Sequence, residues 1–456
     1  MHPRLGIGAS RERIVFMNFN DLQIDPAIKR AIADLGFSEP TPIQRAAVPP
    51  ALAGRDVIAC AMTGSGKTAA FALPILDRFT KSGPRRGIRA LIVTPTRELA
   101  IQVHEHLEAL GRHTGVSAAT VFGGVKPAPQ VRALRAGVDV VVATPGRLLD
   151  HMQQPWLSFD QLEVLVLDEA DRMLDMGFLP DIRRILDRLP KQRQTMLFSA
   201  TMPQPIVKLS RDLLVDPVRL DVERPSAPAT GVSQAILPVQ EKLKPALLLS
   251  MLRSEKIATA LVFTRTKHRA NRLYEYLDAN GIKADRIHGN RSQPQRQAAL
   301  KAFKDGCLQV LVATDIAARG IDIEALPHVI NFDVPGQADD YIHRVGRTAR
   351  ASATGDALTF ASPGEAKELA AIERAVGRRI TRRTLKDFDY NARPEGRFEI
   401  PIGERIAAIR SRRAEERARA RSKVEARATR EAAAAAAPPR PPRQRRRRSQ
   451  WSPASR

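Results

Sequence analysis

The sequence predicts an α/β fold made of two parallel-sheet domains in tandem, followed by a basic low-complexity tail. Three observations predict it. Short continuous apolar runs end abruptly in small or polar residues, stretches of helical periodicity lie between them, and the whole pattern restarts after a Pro- and Ala-rich break. Buried strands alternating with helices read as a parallel sheet covered on both faces. In such sheets ligands sit at the carboxyl ends of the strands.

Taken in order, residues 1–18 form an N-terminal extension without clear pattern, and Met17 opens the first patterned segment and is the expected translation start. The first domain is expected over 19–220. Its apolar runs are Asp56 to Cys60, Leu91 to Val93, Val138 to Ala143, Val164 to Leu167 and Met196 to Phe198, with helical periodicity over Glu98 to Arg112 and Ile182 to Leu189. Residues 221–232 read as a linker. A second domain is expected over 233–388, with strands at Ala260 to Phe263, Val310 to Ala313, Val329 to Phe332 and Ala357 to Phe360. The tail, 389–456, has too few aliphatic anchors for a core and is expected to be disordered or to form a fluctuating helix. It ends in an extended, arginine-rich stretch.

The chain of 456 residues has a formal charge of +24. An enzyme acting on small neutral substrates has no need of that excess, whereas a polyanion partner does, because each cation near a phosphate releases condensed counterions. From Arg393 onward 19 Arg or Lys stand against 7 Glu, about half of the excess, so the body is basic too. Two cysteines, Cys60 and Cys307, with no CxxC spacing exclude a disulfide framework and a zinc site, which fits a reducing cytosol. No apolar run reaches about 18 residues, so no membrane span is expected, and the expected location is cytoplasmic.

Three motifs carry chemistry. AMTGSGKT at 61–68 follows a strand and should open a helix, where backbone N–H groups and the helix N-terminus favour phosphate. Lys67 would meet the β/γ-phosphates and the Thr68 hydroxyl would ligate Mg²⁺, although Ala61 stands where the general P-loop has Gly. Asp168-Glu169 at a strand end offers a carboxylate for Mg²⁺ and a neighbour to position or deprotonate water. In HRVGRTAR at 343–350, three arginines at spacing three share one face if helical and could act as arginine fingers. On its own that run is equally a solvated basic helix.

Together these residues resemble the DEAD-box RNA helicases of superfamily 2, over roughly residues 17–388. The match is an ordered set: Phe19, Gly36-Phe37 and Pro40 to Gln44 resemble the Q motif, followed by AMTGSGKT, PTREL at 95–99, Gly123-Gly124, TPGR at 144–147, DEAD at 168–171 and SAT at 199–201. In the second half, Val262 to Thr264, Gln293 with Arg296, Thr314 to Asp322 and HRVGRTAR complete it. DEADRMLDMGF and the basic tail look most like the bacterial RNA helicase E subgroup. Departures are small: Met62, Ser65 and Ala349 stand where Gln, Thr and Gly are more usual.

The resemblance implies two tandem RecA-like domains, ATP and Mg²⁺ as cofactors, and RNA-stimulated hydrolysis coupled to domain closure and local, non-processive unwinding or remodelling of RNA–protein complexes. It assigns Phe19, Phe37, Gln44, Thr63, Gly64, Ser65, Gly66, Lys67, Thr68 and Asp322 to ATP. Within that set, Gln44 reads the adenine edge, as an amide's paired donor and acceptor allow. Thr68 and Asp168 hold the metal, Glu169 activates water, and Arg347 and Arg350 complete the catalytic set with Lys67. RNA is expected at Pro95, Thr96, Arg97, Gly124, Thr144, Gly146, Arg147, Thr266, Gln293, Arg296 and Thr314. Asp171, Ser199 and Thr201 would couple the two sites. Ribosome-assembly or RNA-decay proteins fit as partners, and Arg445 to Arg448 would add nonspecific RNA affinity. Three rival functions share some of these motifs: a DNA translocase of the same superfamily, a non-catalytic RNA clamp, and a P-loop kinase or transporter ATPase.

Overall fold

Strands β1 (Val57–Cys60), β2 (Ala90–Val93), β3 (Ala118–Val121), β4 (Val140–Ala143), β5 (Val164–Leu167), β6 (Gln194–Ser199) and β7 (Val218–Asp221) pair in parallel in the order β3-β4-β2-β5-β6-β1-β7. The computed structural model describes residues 18–62, 64–83, 85–221, 232–254, 257–318, 326–348, 355–392, 411 and 414. Strands β1, β2, β4, β5 and β6 are buried along their whole length. Because successive strand side chains point to opposite faces, Ala90 and Ile92 join the core on one side of the sheet while Leu91 and Val93 join the core on the other. Both faces are therefore covered by helices, as continuous apolar runs require.

A second sheet repeats the plan. Strands β8 (Val232–Pro238), β9 (Ala260–Thr264), β10 (Ala284–Ile287), β11 (Val310–Thr314), β12 (His328–Asn331), β13 (Gly355–Ala361) and β14 (Thr381–Arg382) are again all parallel, in the order β10-β11-β9-β12-β13-β8-β14. Beyond β14 the Tyr390 ring packs edge-on against Phe388, and its hydroxyl accepts a hydrogen bond from Leu385 N–H at 2.9 Å. Among the described residues no helix is long and apolar enough to cross a membrane. The N-terminal extension through Met17, residues 222–231 of the expected linker and nearly all of the expected tail, Arg445 to Arg448 included, lie outside the described residues.

The strand order decides which motifs meet. β5, β6 and β1 are neighbours, so the loops after them place DEAD, SAT and the glycine-rich loop side by side although the glycine-rich loop ends at Thr68 and SAT begins only at Ser199. β3, β4 and β2 are neighbours on the other half, which collects Gly123-Gly124, TPGR and PTREL. In the second sheet β10, β11 and β9 collect Gln293, Thr314 and Thr266 in the same way.

Candidate functional site

The glycine-rich loop leaves β1 and enters the helix Lys67–Ser82, with Gly66 as N-cap at φ +90°. A Cβ at Gly66 would lie 2.5 Å from Gln44 Nε2 and 2.9 Å from Thr41 Oγ1, so both the backbone angle and the close approach demand glycine. Gln44 is fixed by its own amide: Oε1 accepts from Thr41 N–H at 2.9 Å and Nε2 donates to the Gly66 carbonyl at 3.1 Å. One N–H and one lone pair of that amide remain for a ligand. Nearby, the Phe19 and Phe37 rings stack with centroids 6.4 Å apart; Phe19 is buried, whereas Phe37 is 39% exposed, an unusual position for a large apolar ring. Gly64 and Ser65 complete the turn, with Ser65 Oγ donating to the Met62 carbonyl at 2.8 Å, and Thr68 is half-buried in the helix's first turn.

Lys67 and Asp168 are both buried, yet Lys67 Nζ and Asp168 Oδ1 have no hydrogen-bond partner among the described residues. Burial pushes the Asp168 carboxyl up to about 6, with the Glu169 charge adding to the rise and the Lys67 ammonium opposing it. A buried cation and a buried carboxylate oxygen left without hydrogen bonds cost free energy unless a ligand completes them. A phosphate group for Lys67 and a divalent cation for Asp168 fit that demand. No cluster of three or more His, Cys, Asp or Glu able to hold a metal occurs among the described residues. A cation here would therefore take its remaining ligands from phosphate and water, as Mg²⁺ commonly does.

Glu169 is one of only two non-glycine residues at positive φ among those described, at +54°, and it caps the helix Ala170–Asp175. Backbone strain of this kind collects at functional sites. Two residues on, Asp171 Oδ2 accepts from Thr201 N–H at 2.8 Å and from Thr201 Oγ1 at 3.0 Å, while Ser199 Oγ accepts from Asp171 N–H at 3.1 Å and donates to the Thr201 carbonyl at 2.7 Å. Three of these hydrogen bonds tie the end of β5 to the end of β6, and the fourth braces the SAT turn itself.

In the second domain Arg344 and Arg347 of HRVGRTAR do not share a helical face. The helix Ala338–Val345 stops at Gly346, and Thr348 instead forms a bridge with Leu326, so Arg347 lies beyond the helix. Arg344 is fully engaged within its own domain: it forks onto Asp315 at 2.5 and 2.7 Å and donates to Asn331 Oδ1 and the Asp333 carbonyl. Arg347 is buried and lines a cavity shared with Arg172 of the first domain. Thr63, Asp322 and Arg350 lie outside the described residues.

The residues expected on RNA fall at strand ends and helix starts. Thr96 and Thr266 cap the helices Arg97–Gly111 and Lys267–Ala279 by accepting from Leu99 and Arg269 N–H, Thr144 and Gly146 open the helix Pro145–Met152, and Thr314 ends β11. Helix N-termini favour anions. Gly124, Gly146 and Thr266 are exposed; Pro95, Thr96, Thr144 and Thr314 are buried and shape the loops. The Arg97 guanidinium lies directly on Gly124, where a Cβ would sit 1.9 Å from Nη1. Arg147 donates to the Val125 carbonyl and to Gln130 Oε1, tying the Gly123-Gly124 loop to TPGR. Gln293 and Arg296 are buried on a first-domain carboxylate: Gln293 Nε2 donates to Glu98 Oε1 at 2.8 Å and Arg296 Nη2 lies 3.0 Å from Glu98 Oε2.

With that geometry in place, comparison with known proteins is direct. A model of the DEAD/DEAH box helicases matches residues 41–209 and one of the helicase conserved C-terminal domain matches 243–352. The chain is 41% identical over 386 residues to the DEAD-box ATP-dependent RNA helicase CshA of Bacillus subtilis, covering 85% of this chain and 77% of that protein. The chain belongs to the DEAD-box family. The CshA helicase of Geobacillus kaustophilus is 42% identical over 384 residues, covering 84% of this chain and 81% of its own. Among solved structures, S. cerevisiae Dbp5 bound to RNA and ADP BeF3 superposes with a TM-score of 0.74 at 30% identity, covering 81% of this chain and 96% of that one. Mss116 bound to ssRNA and UDP-BeF gives 0.73 at 27% identity, covering 82% and 81%. These likenesses establish two tandem RecA-like domains for this DEAD-box chain. Three of its site-forming residues carried no signal of their own in the sequence: Glu98 inside PTREL, Gln130 behind TPGR, and Arg172 just after DEAD.

Proposed function

We propose that this DEAD-box protein is an RNA-stimulated ATPase whose two domains close on RNA and separate short duplexes locally, without processive travel. The observation that carries the reading is the pair of buried, unsatisfied atoms Lys67 Nζ and Asp168 Oδ1, together with Arg347 in a cavity shared with Arg172 of the first domain. In this reading Phe37 packs on the adenine and the free half of the Gln44 amide pairs with its edge. Lys67 and the loop N–H groups take the phosphates, and Thr68 and Asp168 hold Mg²⁺, which when bound would neutralise phosphate charge. Glu169 accepts a proton from the water that attacks the γ-phosphorus while the bond to the β-phosphate oxygen breaks. Arg347 stabilises the charge that develops, with Arg350 and Asp322 completing the set. Hydrolysis then needs both domains, because part of that stabilisation arrives only with the second.

RNA would lie along the collected strand ends, its phosphates at the helix starts carrying Thr96, Thr144 and Thr266. Contacts of that kind are sequence-independent. The Asp171–Ser199–Thr201 ties would transmit closure between the two sites.

Steady-state ATP hydrolysis with and without single-stranded RNA tests the proposal on wild type and Glu169→Gln. RNA stimulation of the wild type, none by DNA, and an inactive variant are expected. A wild type that binds ATP and RNA without turnover would make the protein a clamp instead.

A further inference from the structure

Arg172 is a cation 2% exposed, placed where a solvated side chain would be expected from its sequence position just after DEAD. Its Nη1 lies 2.8 Å from Glu169 Oε2, and both side chains are 3% exposed. Its own backbone N–H donates to Asp171 Oδ1 at 3.1 Å, which fixes the helix start from which it reaches back. Arg172 also borders the cavity whose other walls, including Asp340, His343 and Arg347, come from the second domain. One guanidinium therefore grips the first domain's carboxylate and faces the second domain's arginine motif.

The physical consequence follows from where the cover comes from. A carboxylate–guanidinium pair bathed in water is loosely held, whereas the same pair shut away from water is rigid and strongly oriented. Part of the wall around Arg172 is supplied by the second domain. Glu169, whose backbone is already in the left-handed region, thus has its side chain held by an ion pair whose Arg172 end borders second-domain residues. We propose that Arg172 is a positioning residue that fixes the Glu169 carboxylate for water activation while the second domain covers the pair, making base orientation conditional on closure. The inference rests on the reading of Glu169 as the water-activating group.

RNA-stimulated ATPase kinetics, together with RNA binding in the presence of a non-hydrolysable ATP analogue, test it on wild type, Arg172→Ala, Arg172→Lys and Glu169→Gln. Arg172→Ala is expected to lower kcat at least about tenfold while KM for ATP and the analogue-dependent RNA affinity stay within about twofold. Arg172→Lys keeps the charge without the fork and should recover part of kcat. It carries the test alone should the alanine variant fail to fold. An Arg172→Ala enzyme with wild-type kcat beside an inactive Glu169→Gln overturns the role of Arg172 only. Equal losses of kcat and of analogue-dependent RNA binding also overturn it, because a general structural defect produces them. Wild-type turnover by Glu169→Gln removes the parent reading and this one together.

Discussion

Glu98 and Gln293, 195 residues apart, join the two sheets: Gln293 Nε2 donates to Glu98 Oε1 at 2.8 Å, and Arg296 engages the other carboxylate oxygen at 3.0 Å. Glu98 stands in the first turn of the helix after β2, and Gln293 and Arg296 stand in the first turn of the helix after β10. The side chains of all three are buried at the contact. Hydrogen bonds to charged groups in such a place are worth about 1.5–3 kcal/mol each. Glu98→Ala should therefore weaken RNA binding in the presence of an ATP analogue by roughly tenfold or more, leaving nucleotide binding to the first domain intact. Fluorescence anisotropy with labelled RNA checks it, and unchanged affinity would show that the contact does not contribute to clamping.

Gly66→Ala attacks the other half of the first sheet, in the loop after β1. Its Cβ would collide with Gln44 Nε2 and Thr41 Oγ1 while the backbone stays at φ +90°, so the loop and the Q-motif amide cannot both keep their places. Strain of about 1–3 kcal/mol at such a position, added to the collision, should weaken binding of a fluorescent ATP analogue by more than tenfold. Far-ultraviolet circular dichroism should remain that of the wild type.

Lys244 is wholly buried beside Glu365 at 2.6 Å, Glu241 at 3.1 Å and Asp333 at 3.8 Å, and this network holds the loop that presents Thr266, since Arg265 N–H donates to Asp333 and Arg265 Nη2 to Glu365. Lys244→Met would leave the carboxylates without their central cation. Breaking a buried pair by removing one partner costs about 3–5 kcal/mol. Urea unfolding should show a loss of that order in the second domain, and a variant as stable as wild type would contradict it.

His288 gives a pH signature. Its Nδ1 accepts from Asn290 N–H at 3.2 Å, so the remaining ring nitrogen carries the proton and donates to Asn271 Oδ1 at 2.9 Å, a pattern that only the neutral ring satisfies. Burial first, then the neighbouring Arg286, Arg291, Arg296 and Lys267, hold it down to about 4 from an ordinary 6.5. Between those values the unfolded chain binds more protons than the folded one, so this contribution is fully present above about pH 6.5 and is lost as pH falls toward 4. It amounts to something on the order of 3 kcal/mol. His288→Gln should flatten that part of the stability profile, measured as the difference in unfolding free energy between pH 7 and pH 4.5.

The legible part of the fold was its most buried part. β1, β2, β4, β5, β6, β9, β11, β12 and β13 each contain a short buried stretch that is mostly apolar and stands out in the sequence. β3, β7, β8, β10 and β14 did not, because partly exposed strands alternate or interrupt their apolar residues: β7 reads Val-Arg-Leu-Asp and β10 Ala-Asp-Arg-Ile, each with half its residues polar. The arginine run at 343–350 is legible in sequence only as a set of cations. Spacing three suggests one helical face, but Gly346 ends the helix and separates Arg344, spent on Asp315, from Arg347 at the cleft.

By itself the sequence determined the chemistry: an ordered set of motifs, each a local string whose residue types suit phosphate, metal or RNA, placed at the ends of runs that must be buried strands. Only the tertiary structure decided which motifs meet. Strand order is set by pairing between segments as distant as Val57 and Val218, and no local periodicity encodes it. The same holds for Glu98 on Gln293 and for Arg172 facing Arg347: each is a polar residue with an ordinary neighbourhood in sequence, and its role arises only from the partner that long-range packing brings beside it.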